Sequence, residues 1–573
     1  MLKNFLKKNI YIWILILLTI PTFFKIIRPG FFPMQDDLQA FRIQQMDKCI
    51  QDLQIPCRWI PDAGYQYGYP QFLYYPPSTY YLGEVFHLLG FQFIDAVKLL
   101  FVSGFVLSAL AMFIFLNSFL GKFSSLIGAL LYTYIPYKAV EVYVRGAMSE
   151  FWSLVFFPLI FWSLYKLIKT SKIKYLAFLA ISLGLLLITH NLMSMIFLPV
   201  AGIWALTWIV IEKKWSVLPK VFLSGLLGLG LAAFFTVPVL VERPYAHLET
   251  LLGGYFDYRQ HFVDLNQLFI SNHWGYGSSY LGPNDDLSLS TGQVQWVVAF
   301  FGVILSILKY KENKKLANVN FILFFSGLLV LFLMHQKSSF IWDKLPFFAY
   351  LQFPWRFLAV SIFLLSTMSA ITIYYLEKIK LAFLKKFNLG QILGIGAVVV
   401  AFVLYGSFFA PQKWLNITDQ DKFSGISWQK QLTISIFDYL PIYAKLPPIH
   451  QAPDFPEIMS GQAQFLSYKK GSDYQIGKLV VSQPANLRLP LFDFPGMKVT
   501  VDNDLVVHNH SDCRNEEFCL GLINFNVSTG THIIKAELTN TPVRTIGDLL
   551  TILSLIIIIK LFIYSKRYES NFS

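Results

Sequence analysis

Long apolar runs separated by short polar segments fill the chain from residue 9 to residue 409, and one more run lies near the C-terminus. About 18 or more apolar residues in a helix are enough to cross a hydrocarbon core of roughly 30 Å. The pattern therefore predicts a polytopic α-helical membrane protein with about twelve transmembrane helices. The predicted spans are 9–27, 94–119, 122–138, 150–168, 173–190, 192–211, 217–240, 291–309, 319–335, 355–376, 389–409 and 545–565.

The segment 78–90, STYYLGEVFHLLG, is apolar but short, and it carries Glu84 and His87. If it stays outside the membrane, the basic N-terminus and the lysine-rich loops at 166–174, 213–214, 309–315 and 378–386 all lie on the cytoplasmic side, as the positive-inside rule requires. If it crosses, nearly all of them lie outside. We therefore predict an amphipathic helix at the outer interface, with both termini cytoplasmic.

This topology predicts a multi-pass protein of the cell membrane in three parts. Residues 1–409 form the transmembrane domain, with long external loops at 28–93 and 241–290. Residues 410–544 form an extracytoplasmic domain, and residues 545–573 form the last helix and a cytoplasmic tail. Shorter external loops are expected at 139–149 and 336–354.

The hydrophobic period changes between 411 and 544, where polar and apolar residues alternate in short runs such as Lys498-Val-Thr-Val. Turn signals separate the runs, notably Asp502-Asn503-Asp504 and Ser528-Thr529-Gly530-Thr531. Short alternating strands with polar turns predict an antiparallel β-sandwich or jelly roll. Such a domain is suited either to binding glycan or to packing as a lid on the membrane part.

Composition agrees with the membrane class and removes one alternative. The chain is 55% hydrophobic and only 14% charged, whereas a soluble globule carries about a quarter charged residues. The net charge of +13 invites a nucleic-acid interpretation. We reject it because the lysines cluster in short loops between apolar segments, where a membrane protein needs them.

All four cysteines fall in predicted external segments as two close pairs, Cys49/Cys57 and Cys513/Cys519. External thiols usually oxidise, so the placement predicts two local disulfides. Free thiols and a four-cysteine metal site are the alternatives, and these spacings fit zinc knuckles poorly.

The first external loop opens with Phe31-Phe32-Pro33-Met34-Gln35-Asp36-Asp37, directly after the first span. Two adjacent carboxylates are costly at the bilayer unless they are solvated, paired or used in function. Asp37 also suits the start of a helix, Asp37-Leu-Gln-Ala-Phe-Arg-Ile, where it would serve as an N-cap.

The position of Asp36 and Asp37 resembles the acidic site of the GT-C superfamily of membrane glycosyltransferases. Tyr75-Pro76-Pro77-Ser78 resembles the Pro-Pro-bearing start of an interfacial helix in those enzymes. The resemblance implies a GT-C-like transmembrane domain. It also implies a sugar donor on a polyprenyl phosphate and an envelope glycan, lipid or protein acceptor.

Three further segments resemble a bacterial family labelled "6-pyruvoyl-tetrahydropterin synthase-related domain, membrane protein". They are Arg145-Gly-Ala-Met-Ser-Glu150, Thr189-His190-Asn191 and Leu351-Gln-Phe-Pro-Trp-Arg-Phe-Leu358. Phe494-Pro-Gly-Met-Lys-Val-Thr-Val-Asp502 is similar to a strand motif of the outer domains in that family. We do not take the label as an activity, because pterin synthase chemistry needs a zinc-binding histidine cluster and the sequence has no such spacing.

The mechanism implied by the GT-C resemblance assigns roles to named residues. Asp36 and Asp37 are the candidate catalytic residues, with Asp36 favoured as the general base because it lies nearer the span and is expected to be more buried. The close pair of charges should raise at least one of the two carboxyl pKa values. The leaving lipid phosphate needs cationic donors, for which Arg145, Arg243 and Arg356 are candidates, and Glu150 and His190 complete the predicted substrate-binding set.

Each arginine also has a structural interpretation. Arg145 can pair with Glu141 or Glu150, Arg243 can pair with Glu242, and Arg356 can act as an interface anchor beside Trp355. His190 at a span end is commonly a packed or capping residue. These alternatives stay open on the sequence alone.

The cofactor requirement is unknown from the sequence. The loop 241–290 mixes aromatic and polar side chains, which suits either sugar stacking or an interfacial belt. His273 with Asp285 and Asp286 is a candidate divalent-metal group there, although no metal is required. The sequence contains no P-loop, dinucleotide fingerprint or nucleophile elbow.

Two functional hypotheses follow. The first is a polyprenyl-phosphate-dependent glycosyltransferase, whose partners are a lipid-linked sugar donor, a glycan, lipid or protein acceptor and membrane lipids. The second is a non-catalytic envelope protein that assembles polysaccharide or binds lipid-linked glycan. A transporter is less favoured, because no repeated half and few mid-span charges are visible.

Overall fold

A computed structural model of the chain describes residues 9–282, 285–379, 388–510 and 519–570. The helices of the first half are α1 (Ile10–Thr19), α2 (Gln39–Gln51), α3 (Gln71–Tyr74), α4 (Ser78–Leu88), α5 (Phe93–Asn117), α6 (Lys122–Thr133), α7 (Pro136–Ala139), α8 (Met148–Thr170), α9 (Ile173–Thr189), α10 (Asn191–Glu212), α11 (Leu218–Leu231) and α12 (Ala233–Val241). Those of the second half are α13 (Leu265–Phe269), α14 (Gln293–Leu308), α15 (Lys314–Met334), α16 (Ser339–Lys344), α17 (Leu358–Glu377), α18 (Leu389–Tyr405), α19 (Asp419–Lys422), α20 (Gly425–Thr433) and α21 (Pro542–Ser570).

The predicted polytopic helical membrane class is confirmed. Within the described ranges, seven helices are long and apolar enough to cross a membrane: α5, α8, α10, α15, α17 with its preceding turn from Pro354, α18 and α21. Helices α11 and α12 lie in a pair that is bent by 76° and counts as one broken span or a re-entrant loop. Helices α1, α9 and α14 are apolar but shorter. The total of twelve spans therefore stays a prediction.

Helix α4 covers most of the segment 78–90 that we predicted to lie at the interface. Its 11 residues extend about 16 Å, roughly half the thickness of a hydrocarbon core. It lies against α5 and α2 in the fold. Its length therefore agrees with a helix that does not cross the membrane.

The hydrophobic core surrounds α8 and α17. The apolar stretch of α17 is 94% buried inside the protein and that of α8 is 83% buried, whereas α21 at the periphery is 17% buried. Phe363 of α17 lies within 4.7–5.8 Å, between ring centroids, of Phe115, Phe161 and Phe197 from three other helices. Offset and edge-to-face ring contacts of this kind add stabilisation beyond the buried area.

Small residues allow some helices to approach closely. A Cβ on Gly128 of α6 would lie 2.6 Å from the Cβ of Ala370 on α17. A Cβ on Gly228 of α11 would lie 3.0 Å from the carbonyl oxygen of Ala180 on α9. In membranes such contacts replace the hydrophobic driving force that water supplies elsewhere.

The C-terminal part contains the predicted antiparallel β structure. Its strands are β1 (Glu457–Lys470), β2 (Tyr474–Phe492), β3 (Met497–Val501), β4 (Asp504–Val506), β5 (Leu522–Val527) and β6 (Gly530–Leu538). They form one connected sheet in the order β1-β2-β6-β3-β4, and β5 also pairs with β2. The described strands therefore build a single sheet, and part of the first loop packs against it.

The two turn signals of this region have different outcomes. Asp502 and Asn503 have φ values of 51° and 73° and close the β3–β4 hairpin, as polar residues with left-handed backbone do in tight turns. Ser528 and Thr529 do not reverse the chain. Strands β5 and β6 run in line along one edge of β2, so this signal marks an interruption in a long strand.

The first loop packs into the β-rich part over a large sequence separation. Trp59, Tyr67 and Tyr74 belong to the same buried hydrophobic cluster as the inner residues of the sheet. The linking segment after α18 also contacts the membrane part, because the Asp419 carboxylate accepts hydrogen bonds from the backbone N–H groups of Phe93 (2.7 Å) and Ile94 (3.1 Å) at the start of α5. Two of the orphan donors of that helix end are thereby satisfied.

The disulfide Cys49–Cys57 is present and closes the end of α2 onto the following turn, as predicted. The second predicted pair, Cys513–Cys519, includes Cys513, which lies outside the described residues. That pairing stays a prediction.

Candidate functional site

The polar segment after the first helix is fixed to the segment that precedes α8. The backbone N–H of Asp36 donates to the carbonyl oxygen of Arg145 at 2.8 Å, and Gln39 Nε2 donates to the carbonyl oxygen of Gly146 at 2.8 Å. Gly146 has φ of 65°, and a Cβ there would lie 2.3 Å from the Met34 sulfur. A glycine is therefore required for this contact.

The Asp36 carboxylate lies at the centre of a small polar network. Its Oδ2 accepts from Arg42 Nη1 at 2.8 Å and from Gln39 Nε2 at 2.9 Å. The Arg42 guanidinium lies 4.4 Å from the centre of the Tyr75 ring and donates to the Tyr80 hydroxyl at 3.3 Å. The Asp36 side chain is 33% exposed, so the carboxylate is oriented by its partners and still reachable from solvent.

Asp37 points to a different partner. It accepts from Lys422 Nζ of α19 at 2.6 Å. Burial raises the pKa of Asp37, Lys422 opposes that rise, and the neighbouring charge of Asp36 is the smallest contribution. Side-chain exposures of 33% for Asp36 and 37% for Asp37 are nearly equal, so burial does not single out Asp36 as we expected.

A buried ion-pair cluster adjoins the Asp36 network through Arg145. Glu150 on the first turn of α8 accepts from Arg145 Nη1 at 2.9 Å and from the Tyr137 hydroxyl at 2.6 Å. Arg356 Nε lies 3.4 Å from Glu150 Oε2, the same oxygen that Arg145 contacts, whereas Tyr137 binds Oε1. Arg145 also contacts Glu141 at 2.5 Å. The cluster therefore contains two guanidinium groups and two carboxyl groups in direct contact.

Backbone and aromatic groups hold the two arginines in place. Arg356 Nη1 donates to the carbonyl oxygen of Leu351 at 2.6 Å and to Gln352 Oε1 at 3.1 Å. The Arg145 guanidinium lies 4.5 Å from the Trp355 ring centre, a cation–π distance. The ion-pair interpretation of Arg145 thus describes its contacts in this structure, and the Trp355-Arg356 motif joins the cluster from the turn that precedes α17.

His190 lies at the junction of α9 and α10 and caps the latter. Its Nδ1 accepts from the backbone N–H of Met193 at 3.2 Å. It also interacts electrostatically with Glu150, Arg356 and Arg145. The capping role that we considered for His190 is present, and the residue is at the same time a neighbour of the cluster.

Arg243 lies apart from these residues. It is exposed at the end of α12, and its predicted partner Glu242 instead binds Arg544, with Arg544 Nε 2.8 Å from Glu242 Oε2. The structure therefore brings Asp36, Arg145, Glu150, His190 and Arg356 into one region and leaves Arg243 outside it.

Three residues of the site were missed from the sequence: Arg42, Lys422 and Asp438. Arg42 follows Asp36 by six positions and was visible as the basic residue of the predicted helix start. Lys422 and Asp438 come from the far C-terminal part, and no local pattern connects them with Asp36. Burial raises the pKa of Asp438 to about 6, a rise that Arg42 opposes and Asp36 supports.

The metal candidate His273 with Asp285 and Asp286 lines a cavity of about 350 Å³ in the loop after α13. Within the described ranges, no group of three or more His, Cys, Asp or Glu side chains is arranged to hold a metal ion. These three residues therefore do not form a ligand set in this structure.

The fold and the site define a polytopic helical membrane protein whose polar residues gather around α8, α17 and the first loop. The chain belongs to the family described as "6-pyruvoyl-tetrahydropterin synthase related domain; membrane protein", whose model matches residues 72–413. That range covers Arg145, Glu150, His190 and Arg356. It does not include Asp36 or Asp37.

The chain is also similar to a protein of Lactococcus lactis subsp. cremoris that is named only as uncharacterized. The two are 24% identical over 356 residues, which is 60% of this chain and 56% of the relative. The chain thus spans a little over half the length of this curated relative.

Among solved structures, the chain is similar to the arabinofuranosyltransferase AftD from Mycobacteria, with 16% identity, a TM-score of 0.44, and coverage of 71% of this chain and 27% of that one. It is similar to an Archaeoglobus fulgidus oligosaccharyltransferase, with 12% identity, a TM-score of 0.41, and coverage of 79% and 59%. It is similar to the Mycobacterium smegmatis arabinosyltransferase EmbB, with 8% identity, a TM-score of 0.35, and coverage of 93% and 63%. At these TM-scores the likenesses carry no argument about activity.

Proposed function

We propose that this chain is a membrane glycosyltransferase that moves a sugar from a polyprenyl-phosphate donor to an envelope glycan, lipid or protein acceptor at the outer face of the cell membrane. In this proposal both termini are cytoplasmic. Residues 1–409 form the transmembrane domain, residues 410–544 the extracytoplasmic domain, and residues 545–573 the last helix and tail. The observation that carries the proposal is the Asp36 carboxylate, one-third exposed and oriented by Arg42 and Gln39 in the segment that leads into α2.

The chemistry assigns one step to Asp36. Its carboxylate takes the proton of an acceptor hydroxyl while the hydroxyl oxygen forms a bond to the anomeric carbon. The bond between the anomeric carbon and the phosphate oxygen breaks, and the polyprenyl phosphate leaves with that electron pair. The configuration at the anomeric carbon inverts.

Charge on the leaving phosphate needs a cationic partner, and the geometry ranks the candidates. Arg145 and Arg356 both contact Glu150, so a phosphate would have to displace that carboxylate to bind them. Arg42 is already beside Asp36, and among the described residues its buried Nε has no hydrogen-bond partner, so this nitrogen is free to contact a phosphate. We therefore assign the phosphate contact to Arg42 first. We assign Arg145, Glu150, His190 and Arg356 a positioning role, because the carbonyl oxygen of Arg145 accepts the hydrogen bond from the backbone N–H of Asp36.

One observation favours the second candidate function, a non-catalytic envelope protein that assembles or binds lipid-linked glycan. Asp36 and Asp37 are both ion-paired, with Arg42 and Lys422, and these pairs fasten the segment before α2 to α2 and to α19. A purely structural use of both carboxylates would leave no base. The two candidates therefore differ in the effect of removing the Asp36 charge.

The test is transfer by purified protein in liposomes supplied with polyprenyl-phosphate-linked sugars, with products followed by mass spectrometry. Wild type is compared with D36N and with the control D343N. Asp343 is an exposed carboxylate that also binds an arginine, Arg259, at 2.8 Å, but it lies far along the chain in α16. Transfer by wild type and D343N but not by D36N supports the transferase, and equal transfer by all three rejects Asp36 as its base.

A further inference from the structure

A second polar cavity lies between the first loop and the β1–β2 turn, with a volume of about 340 Å³. That volume is at the lower end of the roughly 300–1,000 Å³ that small-molecule sites occupy. Its walls include Gln51, Asp52, Trp59, Gly68 and Tyr474. The cavity is separate from the Asp36 network and none of its lining residues belongs to the candidate site described above.

The walls of this cavity are tied together by hydrogen bonds across more than 400 positions of the chain. The Asp52 carboxylate accepts from the backbone N–H of Ser472 at 2.6 Å. Gln54 Nε2 donates to the Ser472 hydroxyl at 3.3 Å, and Gln54 Oε1 accepts from the backbone N–H of Trp59 at 2.9 Å. The cavity is therefore preformed, and an occupant would not have to order its walls.

Trp59 offers a hydrogen-bond donor at this site. Its side chain is 1% exposed and packs on Phe494, with ring centroids 5.6 Å apart. Among the described residues, every hydrogen bond of Trp59 uses its backbone, so its indole N–H remains available to a ligand. A Cβ on Gly68 would lie 2.3 Å from this nitrogen, so only a glycine fits beside the indole, and both residues line the cavity.

The charge of the lining limits the class of ligand. Two lysines, Lys48 and Lys470, and four aspartates line the cavity, and Lys48 is bound to one of the four, Asp62. The acidic lining residues are Asp52, Asp62, Asp454 and Asp473. Carboxylate and amide oxygens accept hydrogen bonds from hydroxyl and ammonium groups, whereas a phosphate or uronate would be repelled. The Trp59 N–H is suited to a ring or hydroxyl oxygen.

We propose that this cavity binds one or two sugar units of an uncharged or amino-bearing glycan, held by the Trp59 N–H and by the surrounding carboxylate and amide oxygens. The site would anchor a glycan on the β-rich part at a distance from the Asp36 network. It does not depend on Asp36 acting as a base, because binding requires no transfer. A glycosyltransferase and a glycan-binding assembly protein would both use it.

The experiment measures binding by ligand-observed NMR and calorimetry with the purified full-length chain in detergent. The probes are a tri-N-acetylglucosamine, a tri-glucosamine, a cello-oligosaccharide and, as the anionic comparison, a tri-galacturonate. The variants are W59F, which removes the N–H and keeps an aromatic ring against Phe494, and Q51A at the exposed rim. Q464A, an exposed glutamine of β1 outside the cavity, is the matched control.

We expect at least one uncharged or amino-bearing probe to bind, the tri-galacturonate to bind at least about tenfold more weakly, and W59F and Q51A each to weaken binding about tenfold. Q464A should bind as wild type does. The proposal is overturned if no such probe binds up to about 10 mM, a range that covers very weak sugar affinities, or if Q51A and W59F both bind like Q464A. Q51A decides the matter if W59F does not fold.

Discussion

The buried ion pair of Glu242 and Arg544 joins the end of α12 to the start of α21, and its loss should be among the most damaging single changes outside the helical core. The two side chains are 2% and 0% exposed. Glu242 Oε2 accepts from Arg544 Nε at 2.8 Å and Oε1 accepts from the Thr541 hydroxyl at 2.5 Å. The substitution Glu242→Ala removes both acceptors and leaves the guanidinium buried.

The expected cost follows from this geometry. Removing one partner of a buried ion pair typically costs about 3–5 kcal/mol, because the remaining charge stays desolvated. Arg544 keeps two weaker contacts, to the carbonyl oxygens of Pro495 (2.9 Å) and Thr539 (3.3 Å), which places the estimate toward the lower end, about 3 kcal/mol. E242Q retains an acceptor for the Thr541 hydroxyl and should cost less than E242A.

The assay is the unfolding midpoint in detergent for wild type, E242A, R544A, the double variant and R243A. The neighbouring Arg243 is exposed and contacts no carboxylate in the described structure, so R243A should change stability by no more than about 0.5 kcal/mol. The double variant should be less destabilised than the sum of the two single changes, because each single change already breaks the pair. Equal midpoints for E242A and R243A would refute the reasoning.

Three further predictions concern other parts of the chain. Replacing Cys49 and Cys57 by serine should lower stability by roughly 2–3 kcal/mol relative to the oxidised wild type, measured by denaturant unfolding. The reduced wild type should lose a similar amount, and unchanged stability of both would contradict this. The pKa of Asp438 is raised to about 6 in the folded chain, so its contribution to stability is greatest below about pH 3.8 and is lost as pH rises through 6. D438N should therefore flatten part of the fall in unfolding midpoint between pH 4 and 7, and an unchanged slope would speak against the assignment. In a variant without native cysteines, an impermeant thiol reagent should label a probe at position 92 and leave a probe near Lys172 unlabelled; labelling near Lys172 would overturn the predicted topology.

The fold class was predictable because its signals are local. Apolar runs of span length and strand alternation are set by neighbouring residues, so the helices and the antiparallel sheet follow from pattern alone. The number of spans is harder, since α6 is only 12 residues long and α11–α12 is bent by 76°. Such short and broken helices are tolerated because other helices pack around them, which a single sequence does not reveal.

The candidate site was predictable only in part for the same reason. Arg145 and Glu150 are five positions apart, and their pairing could be proposed from the sequence. The partners of Asp37 and Glu242 could not, because Lys422 and Arg544 are about 300 or more positions away. Ser528 was read as a turn because serine, threonine and glycine together signal chain reversal, but here β2 pairs with both flanking strands and keeps them in line.

The central claim is that Asp36 acts as the base in sugar transfer. The direct measurement is the single-turnover rate of transfer from a polyprenyl-phosphate sugar for wild type, D36N and D37N at saturating donor. Asparagine keeps the size and the contact with Arg42 but removes the basic oxygen, so D36N should be slower by about 10²–10⁴-fold. D37N, which loses only the Lys422 ion pair, should be slowed far less. Transfer by D36N at the wild-type rate would contradict the account.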